Sequence, residues 1–216
     1  MLRYLDVQNI LDKNDLILQE SGCVGSENER GNTYMKKIGI VTDSHSSISQ
    51  EEAEKLGIFV LPMPFYIDGE CYYESVTLSR ELFFEKLAAG ADITTSQPSP
   101  TAVMEIWDKA LEQFEKILYM PISSGLSGSY ETAMMLAKDE AYEGRVLVVD
   151  DGQVAAPLHQ MVLDTLDMIE KGYEAEQIRD LLERAGDRMM IYIALQTLEF
   201  LKKGGRVTPA AAALGS

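Results

Sequence analysis

From Ile38 onward, short β-branched runs alternate with stretches of helical periodicity. Ile38–Val41 is a compact apolar run of the kind found in a buried strand. Ser49 then caps a helix, with Glu52 three residues on completing a capping box and Gly57 ending it. Phe59–Leu61 and Phe65–Ile67 read as strands, and Asp68-Gly69 is a hairpin turn into Cys71–Tyr73. Ser79 caps a helix expected to bury Leu82, Phe83 and Leu87. From Thr101, the positions Val103, Ile106, Trp107, Ala110, Leu111 and Phe114 form one helical stripe. Strand Ile117–Met120, a Gly/Ser loop and a helix over Tyr130–Ala137 follow. Next come strand Val146–Val149 and a helix burying Leu158, Met161, Val162, Leu166 and Ile169. Past Gly172, a helix with Ile178, Leu181, Leu182 and Ala185 and a strand at Met189–Ala194 begin a new unit.

Strand–helix alternation at this spacing predicts an α/β fold, a mostly parallel sheet with helices on both faces, Rossmann-like, with the hairpin as an antiparallel addition. Ligands of such sheets sit beyond the carboxyl ends of the strands. The first 34 residues differ: scattered apolar positions give way to a polar, glycine-bearing stretch before Met35, which we read as the start of the folded unit. The expected organisation is residues 1–34 as an N-terminal extension or mis-assigned start, 35–172 as an α/β domain, and 173–216 as the start of a second α/β domain.

Charge narrows the partners. With 35 acidic against 19 basic side chains and a formal net charge of −16, the chain repels polyanions, which excludes nucleic acid as the expected partner. Cys23 and Cys71 supply neither a disulfide framework nor a zinc site, and no run is long enough for stable membrane insertion, so a cytoplasmic protein is expected.

Two hydroxyl-rich loops lead into helices. One is Thr94-Thr95-Ser96-Gln97-Pro98-Ser99-Pro100; the other is Ser123-Ser124-Gly125-Leu126-Ser127-Gly128-Ser129, after strand Ile117–Met120. Helix N-termini carry unpaired N–H groups and partial positive charge, glycines let a ligand approach the backbone, and hydroxyls rotate to meet an oxygen. Neither loop holds a lysine or arginine, and neither nucleotide-binding glycine fingerprint is present. This suits a carboxylate better than a triphosphate; plain helix capping by the same residues is the competing explanation. The candidate ligand-binding set is Thr95, Ser96, Ser124, Gly125, Ser127 and Gly128, with Ser44 at the end of the first strand facing the same crevice. No catalytic residue, metal or cofactor is expected.

Two alternatives stand beside it. Gly125-Leu126-Ser127-Gly128-Ser129 is a near miss to a nucleophile elbow, giving a serine esterase using Ser127 with His45 or His159 as base. A small-carboxylate binding module is the other. Asp43 is read as a helix cap, Asp150-Asp151 as part of a turn, and Lys203-Gly204-Gly205-Arg206 as a basic helix end with a glycine stop. Eleven methionines would suit an adaptable apolar cavity.

Taken jointly, Ile40-Val41-Thr42-Asp43-Ser44, Thr95-Ser96-Gln97-Pro98-Ser99-Pro100, Ser123-Ser124-Gly125-Leu126-Ser127-Gly128-Ser129-Tyr130 and Lys203-Gly204-Gly205-Arg206 resemble the DegV family from about Met35 to the chain's end. The resemblance implies a two-domain protein holding a long-chain fatty acid in a tunnel. Such a protein is not itself an enzyme: it is the acyl-binding subunit of a bacterial fatty acid kinase. It presents the carboxylate to a separate ATP-dependent kinase catalytic subunit, which makes acyl-phosphate for phospholipid synthesis. By motif, Thr95 and Ser127 hold the carboxylate without a buried cation. The chain departs from the family in Ser129, where threonine is usual, and in Ala155-Ala156-Pro157-Leu158-His159, where a glycine-rich run is usual. It also stops where the family continues, so 173–216 is expected to be an incomplete second domain.

Overall fold

The structure, a computed structural model, describes residues 36–73, 76–192 and 197–208. Two sheets organise it. The larger is parallel, with strands β1 (Lys36–Asp43), β2 (Phe59–Leu61), β6 (Phe114–Met120) and β7 (Val146–Val148) in the order β2-β1-β6-β7. The smaller is antiparallel, with β3 (Pro64–Ile67), β4 (Glu70–Tyr73) and β5 (Ile93–Thr95) in the order β4-β3-β5. Helices α1 (Gln50–Leu56), α2 (Arg80–Ala88), α3 (Pro100–Leu111), α4 (Ser129–Leu136), α5 (Ala155–Glu170), α6 (Ala175–Gly186) and α7 (Glu199–Lys203) connect them, with a 3-10 turn at Ser44–Ser46.

Alternation along the central strands feeds two cores. On one face Ile38 and Ile40 of β1 and Leu118 and Met120 of β6 pack with Leu158, Met161 and Val162 of α5 and Ile178 and Leu182 of α6. On the other, Val41, Ile117 and Tyr119 pack with Val103, Trp107 and Ala110 of α3 and Ala133 of α4. The parallel sheet covered by helices on both faces is therefore as expected. Ser49 caps α1 by accepting from the N–H of Glu52, and Gly57 closes it at φ 68°.

Several local expectations are corrected. The hairpin is not an addition to the parallel sheet but belongs to the separate small sheet, whose third strand, β5, takes up Thr94 and Thr95 of the first hydroxyl loop. Its polar Thr-Thr sequence carries no apolar alternation to announce a strand. Phe114 begins β6 instead of ending α3, after a turn at Glu112 and Gln113. Helix α2 is capped by Ser79 as expected but buries none of its residues, with Leu82 43% and Phe84 51% exposed. Residues 189–192 form no strand, and the rest of that expected element lies outside the described residues, as do residues 1–34.

Candidate functional site

Chain order makes the strand sequence reverse between β1 and β6: β1 leads outward to β2, and β6 leads the opposite way to β7. The carboxyl ends of β1 and β6 therefore open a crevice, the usual ligand position of such sheets. Asp43 stitches it together. Its side chain is fully buried; Oδ1 accepts from the N–H of His45 at 2.9 Å, and Oδ2 accepts from the N–H of Ile122, in the loop after β6, at 2.8 Å. It caps the Ser44–Ser46 turn, as its expected role as a cap requires. The Ser44 hydroxyl accepts from the N–H of Met63 at 3.1 Å, tying the chain that leaves β2 to the same point.

Pro64 carries the chain from there into the small sheet, which stands over the crevice and closes a cavity of about 290 Å³. Its polar lining includes Ser44, His45, Thr95, Ser96, Ser127 and Arg206; its apolar lining includes Met63, Phe65, Leu78, Phe83, Ile93 and Leu126. Of the candidate residues, Ser44, Thr95, Ser96 and Ser127 thus meet at one cavity although they come from three parts of the chain. Ser124, Gly125 and Gly128 stand outside its lining. Ser124 donates its N–H to Asp150 Oδ1 at 3.3 Å, and Gly125 donates to Ser123 Oγ at 3.3 Å. Gly128 caps α4 where Gln97 crosses it: a Cβ at this position would lie 2.9 Å from Gln97 Oε1. Gln97 Nε2 also donates to Thr132 Oγ1 at 3.1 Å, so the two hydroxyl loops are in contact.

Capping accounts for one loop and not the other. Ser99 Oγ accepts from the N–H of Ala102, as an ordinary cap of α3. Helix α4 has no side-chain cap; Ser127 Oγ instead shares a 2.8 Å hydrogen bond with Ser129 Oγ and accepts from the Ser129 N–H at 3.3 Å. For the esterase alternative, Ser127 bonds to Ser129, His159 pairs with Glu52 at 3.2 Å and His45 stands 3.2 Å from Asp43, so neither histidine is hydrogen-bonded to Ser127.

Sequence reasoning missed two residues. Arg206 was read as a helix end; in the structure Gly205, at φ 74°, turns the chain after α7 so that Arg206 reaches the cavity and donates Nε–H to Leu126 O at 3.2 Å. Lys203, on the same segment, pairs with Asp92 just before β5. A cation is therefore present at the cavity wall, as is Arg80 at the start of α2. The signal for Arg206 was its glycine-flanked motif. His45, which the sequence offers only as a hydrolase base, also lines the cavity.

Behind the second loop, Asp150 Oδ1 receives the N–H groups of Ser124 and Gly152. Burial pushes the neighbouring Asp151 carboxyl up to about 7, against a hydrogen bond from the Gln153 N–H and helped by the charges of Asp150 and Asp43. Tyr119, beneath Asp43, is raised for the same reason, by burial and then by that charge.

Comparison with known proteins gives this arrangement a context. The model of the DegV family, described as a family of uncharacterised proteins, matches residues 37–216. A DegV domain-containing protein of Caldanaerobacter subterraneus is 31% identical over 181 residues, covering 84% of this chain and 64% of its own length. One of Streptococcus pneumoniae is 35% identical over 183 residues, covering 83% and 64%. Among solved structures, a DegV family protein from Thermus thermophilus, described by its fatty acid binding, superposes with a TM-score of 0.74 at 35% identity over 83% of this chain and 64% of that one. A stearic acid-binding protein from Eubacterium ventriosum superposes with a TM-score of 0.68 at 27% identity, covering 84% and 64%. The chain thus spans a little under two thirds of the length of these relatives.

Proposed function

Because the chain belongs to the DegV family, we propose that it binds a long-chain fatty acid in the cavity at the β1/β6 switch point and presents the carboxylate to a separate ATP-dependent kinase subunit. One observation carries the reading: the hydroxyl-bearing residues Thr95, Ser96 and Ser127 line a cavity whose other walls include Met63, Phe65, Leu78, Phe83 and Ile93. That is a polar end for a carboxylate and an apolar end for an acyl chain. At about 290 Å³ the cavity lies at the lower end of pockets that enclose small ligands, room for the head group and the first part of the chain.

In this reading the Thr95 and Ser127 hydroxyls donate to the carboxylate, and Arg206 supplies a nearby positive charge at the rim. Hydroxyl donors leave the carboxylate's charge only partly neutralised, so it keeps its nucleophilicity. When the partner brings ATP, a carboxylate oxygen attacks the γ-phosphorus, the bond to ADP breaks, and an acyl-phosphate results for lipid synthesis. The chain itself is then a binding subunit, with no catalytic residue, metal or cofactor of its own, working in the cytoplasm. No helix among the described residues is long and apolar enough to cross a membrane.

Purification from a bacterial host followed by solvent extraction and mass spectrometry tests the reading. A stoichiometric fatty acid is expected in the wild type. Thr95→Val and Ser127→Ala are each expected to weaken palmitate binding by tenfold or more, since a hydrogen bond to a charged group contributes about 1.5–3 kcal/mol. An empty wild type that fails to bind added palmitate overturns it.

A further inference from the structure

We infer that His45 carries the proton of the head-group site: its imidazole meets the ligand's carboxyl group across one shared proton, so a fatty acid anion is taken up together with a proton. The inference rests on the fatty-acid reading above.

The ring is held by its backbone neighbour. Asp43 Oδ1 accepts the main-chain N–H of His45 at 2.9 Å and stands 3.2 Å from Nδ1, while Oδ2 is occupied by the Ile122 N–H. An ionised carboxylate only accepts, so Nδ1 carries a hydrogen toward it, and the neutral ring is left with a bare lone pair on Nε2, the edge away from Asp43. His45 lines the same cavity as Thr95, Ser96 and Ser127. Those hydroxyls turn to suit a carboxylate; a neutral Nε2 does not, because it needs a hydrogen that a carboxylate lacks. One proton resolves the conflict. It sits on Nε2 and is donated to the anion, or on the fatty acid and is donated to Nε2; the complex holds one proton more than the separated partners in either case.

Charged groups face this turn from several surrounding elements. Asp43 lies behind the ring, and Arg80 from α2 and Arg206 from the segment after α7 stand on the cavity wall. Helix α5, packed on the Ser44–Ser46 turn, offers His159, which is held 3.2 Å from Glu52 of α1. Asp151, after β7, lies within the field of Asp43. In the empty cavity the two guanidiniums at the wall oppose a further positive charge while the Asp43 carboxylate behind the ring favours it. An arriving carboxylate adds a second negative charge at the ring and tips that balance toward the proton.

Palmitate binding to the full chain, measured calorimetrically from pH 5.5 to 8.5 in buffers of different ionisation enthalpy, tests it. The wild type is expected to take up close to one proton per palmitate at the upper end of this range and to lose affinity there by up to tenfold per pH unit. His45→Gln, which retains a polar side chain but cannot be charged, is expected to bind at least tenfold more weakly at pH 6 and to lose most of that proton uptake. Hexadecanol, which has no carboxyl, is expected to bind both proteins without proton uptake. Equal uptake by wild type and His45→Gln overturns the role of His45 and leaves the fatty-acid reading standing, as does palmitate affinity that ignores pH. Absence of saturable palmitate binding at every pH overturns the fatty-acid reading and this inference with it. Thermal melting of His45→Gln separates a lost proton from a lost fold, and His45→Thr, differently shaped but equally unable to be charged, is expected to repeat its result.

Discussion

The parallel sheet and the small antiparallel sheet treat their hydrophobic residues in opposite ways. β1 and β6 are sealed between two helical layers, with Ile40, Val41, Leu118 and Tyr119 all at 1% exposure or less. On the small sheet, α2 buries nothing completely: Phe83 and Phe84 line the cavity, and Leu82 and Phe84 remain largely open. The cavity lies between them. The part of its polar wall around Ser44, His45 and the loop after β6 is therefore pinned to a rigid layer through Asp43, whereas Thr95 and the apolar residues Phe65, Phe83 and Ile93 belong to the small sheet and its helix. On the fatty-acid reading proposed above, such an arrangement would fix the head group and leave the acyl side free to adjust.

Stability should separate the two regions most sharply at their aromatic residues. Trp107 is fully buried, set edge-on to Tyr119 at 5.3 Å and Tyr142 at 5.2 Å, and its Nε1–H has no hydrogen-bond partner, so it contributes through packing alone. Trp107→Ala is expected to cost about 3–5 kcal/mol in urea unfolding. Phe83→Ala, on the other wall, is expected to cost ~1 kcal/mol and yet weaken palmitate binding by tenfold or more, since its ring meets Phe65 at 5.5 Å on the cavity side. Equal losses of stability in the two variants would erase the contrast.

The contrast also explains what could be read from the sequence. β1 and β6 read as continuous apolar runs because both faces are buried, and the hydroxyl loop after β6 could be placed at a strand end for that reason. β5 could not: Ile93-Thr94-Thr95 sits in a three-stranded sheet with little burial, where polarity carries no period. The stripe of α2 read as buried because spacing reports a face and says nothing of what covers it. Arg206 and His45 escaped for a different reason. Arg206 reaches the cavity by bonding to Leu126, eighty residues earlier, and no local pattern encodes that meeting. The family motif at residues 203–206 marked the position without giving its contact.

A second prediction probes the rigid wall by pH. Asp151 is buried, with Oδ1 accepting from Gln153 and Oδ2 without a partner; burial moves its carboxyl from 3.8 up to about 7. Between those values the folded protein holds a proton that the unfolded chain has released. Stability contributed by this group is full below pH 3.8, falls as pH rises toward 7, and is flat above. At about 1.4 kcal/mol per unit, it accounts for a loss of roughly 2–3 kcal/mol between pH 5 and pH 8. Asp151→Asn keeps an acceptor for the Gln153 N–H and is expected to remove that slope. The helix behind it has little room to yield: a Cβ on Gly186 would lie 2.1 Å from the Asp151 carbonyl oxygen. Urea titrations of both proteins at the two pH values decide it, and parallel slopes would mean that the Asp151 carboxyl is ionised in the fold.

The smallest effect belongs to the outer face of α2. Leu82 is 43% exposed, and its N–H, not its side chain, makes the contact to Ser79 that caps the helix. Leu82→Ser removes apolar surface that water already reaches, so a change within about 0.5 kcal/mol is expected; part of it arises because serine is the poorer helix former. The side chain is also absent from the cavity lining, so palmitate affinity should stay within twofold of wild type. A loss of more than about 2 kcal/mol would mean that Leu82 is buried in the folded protein, and that the apolar wall is as firmly seated as the polar one.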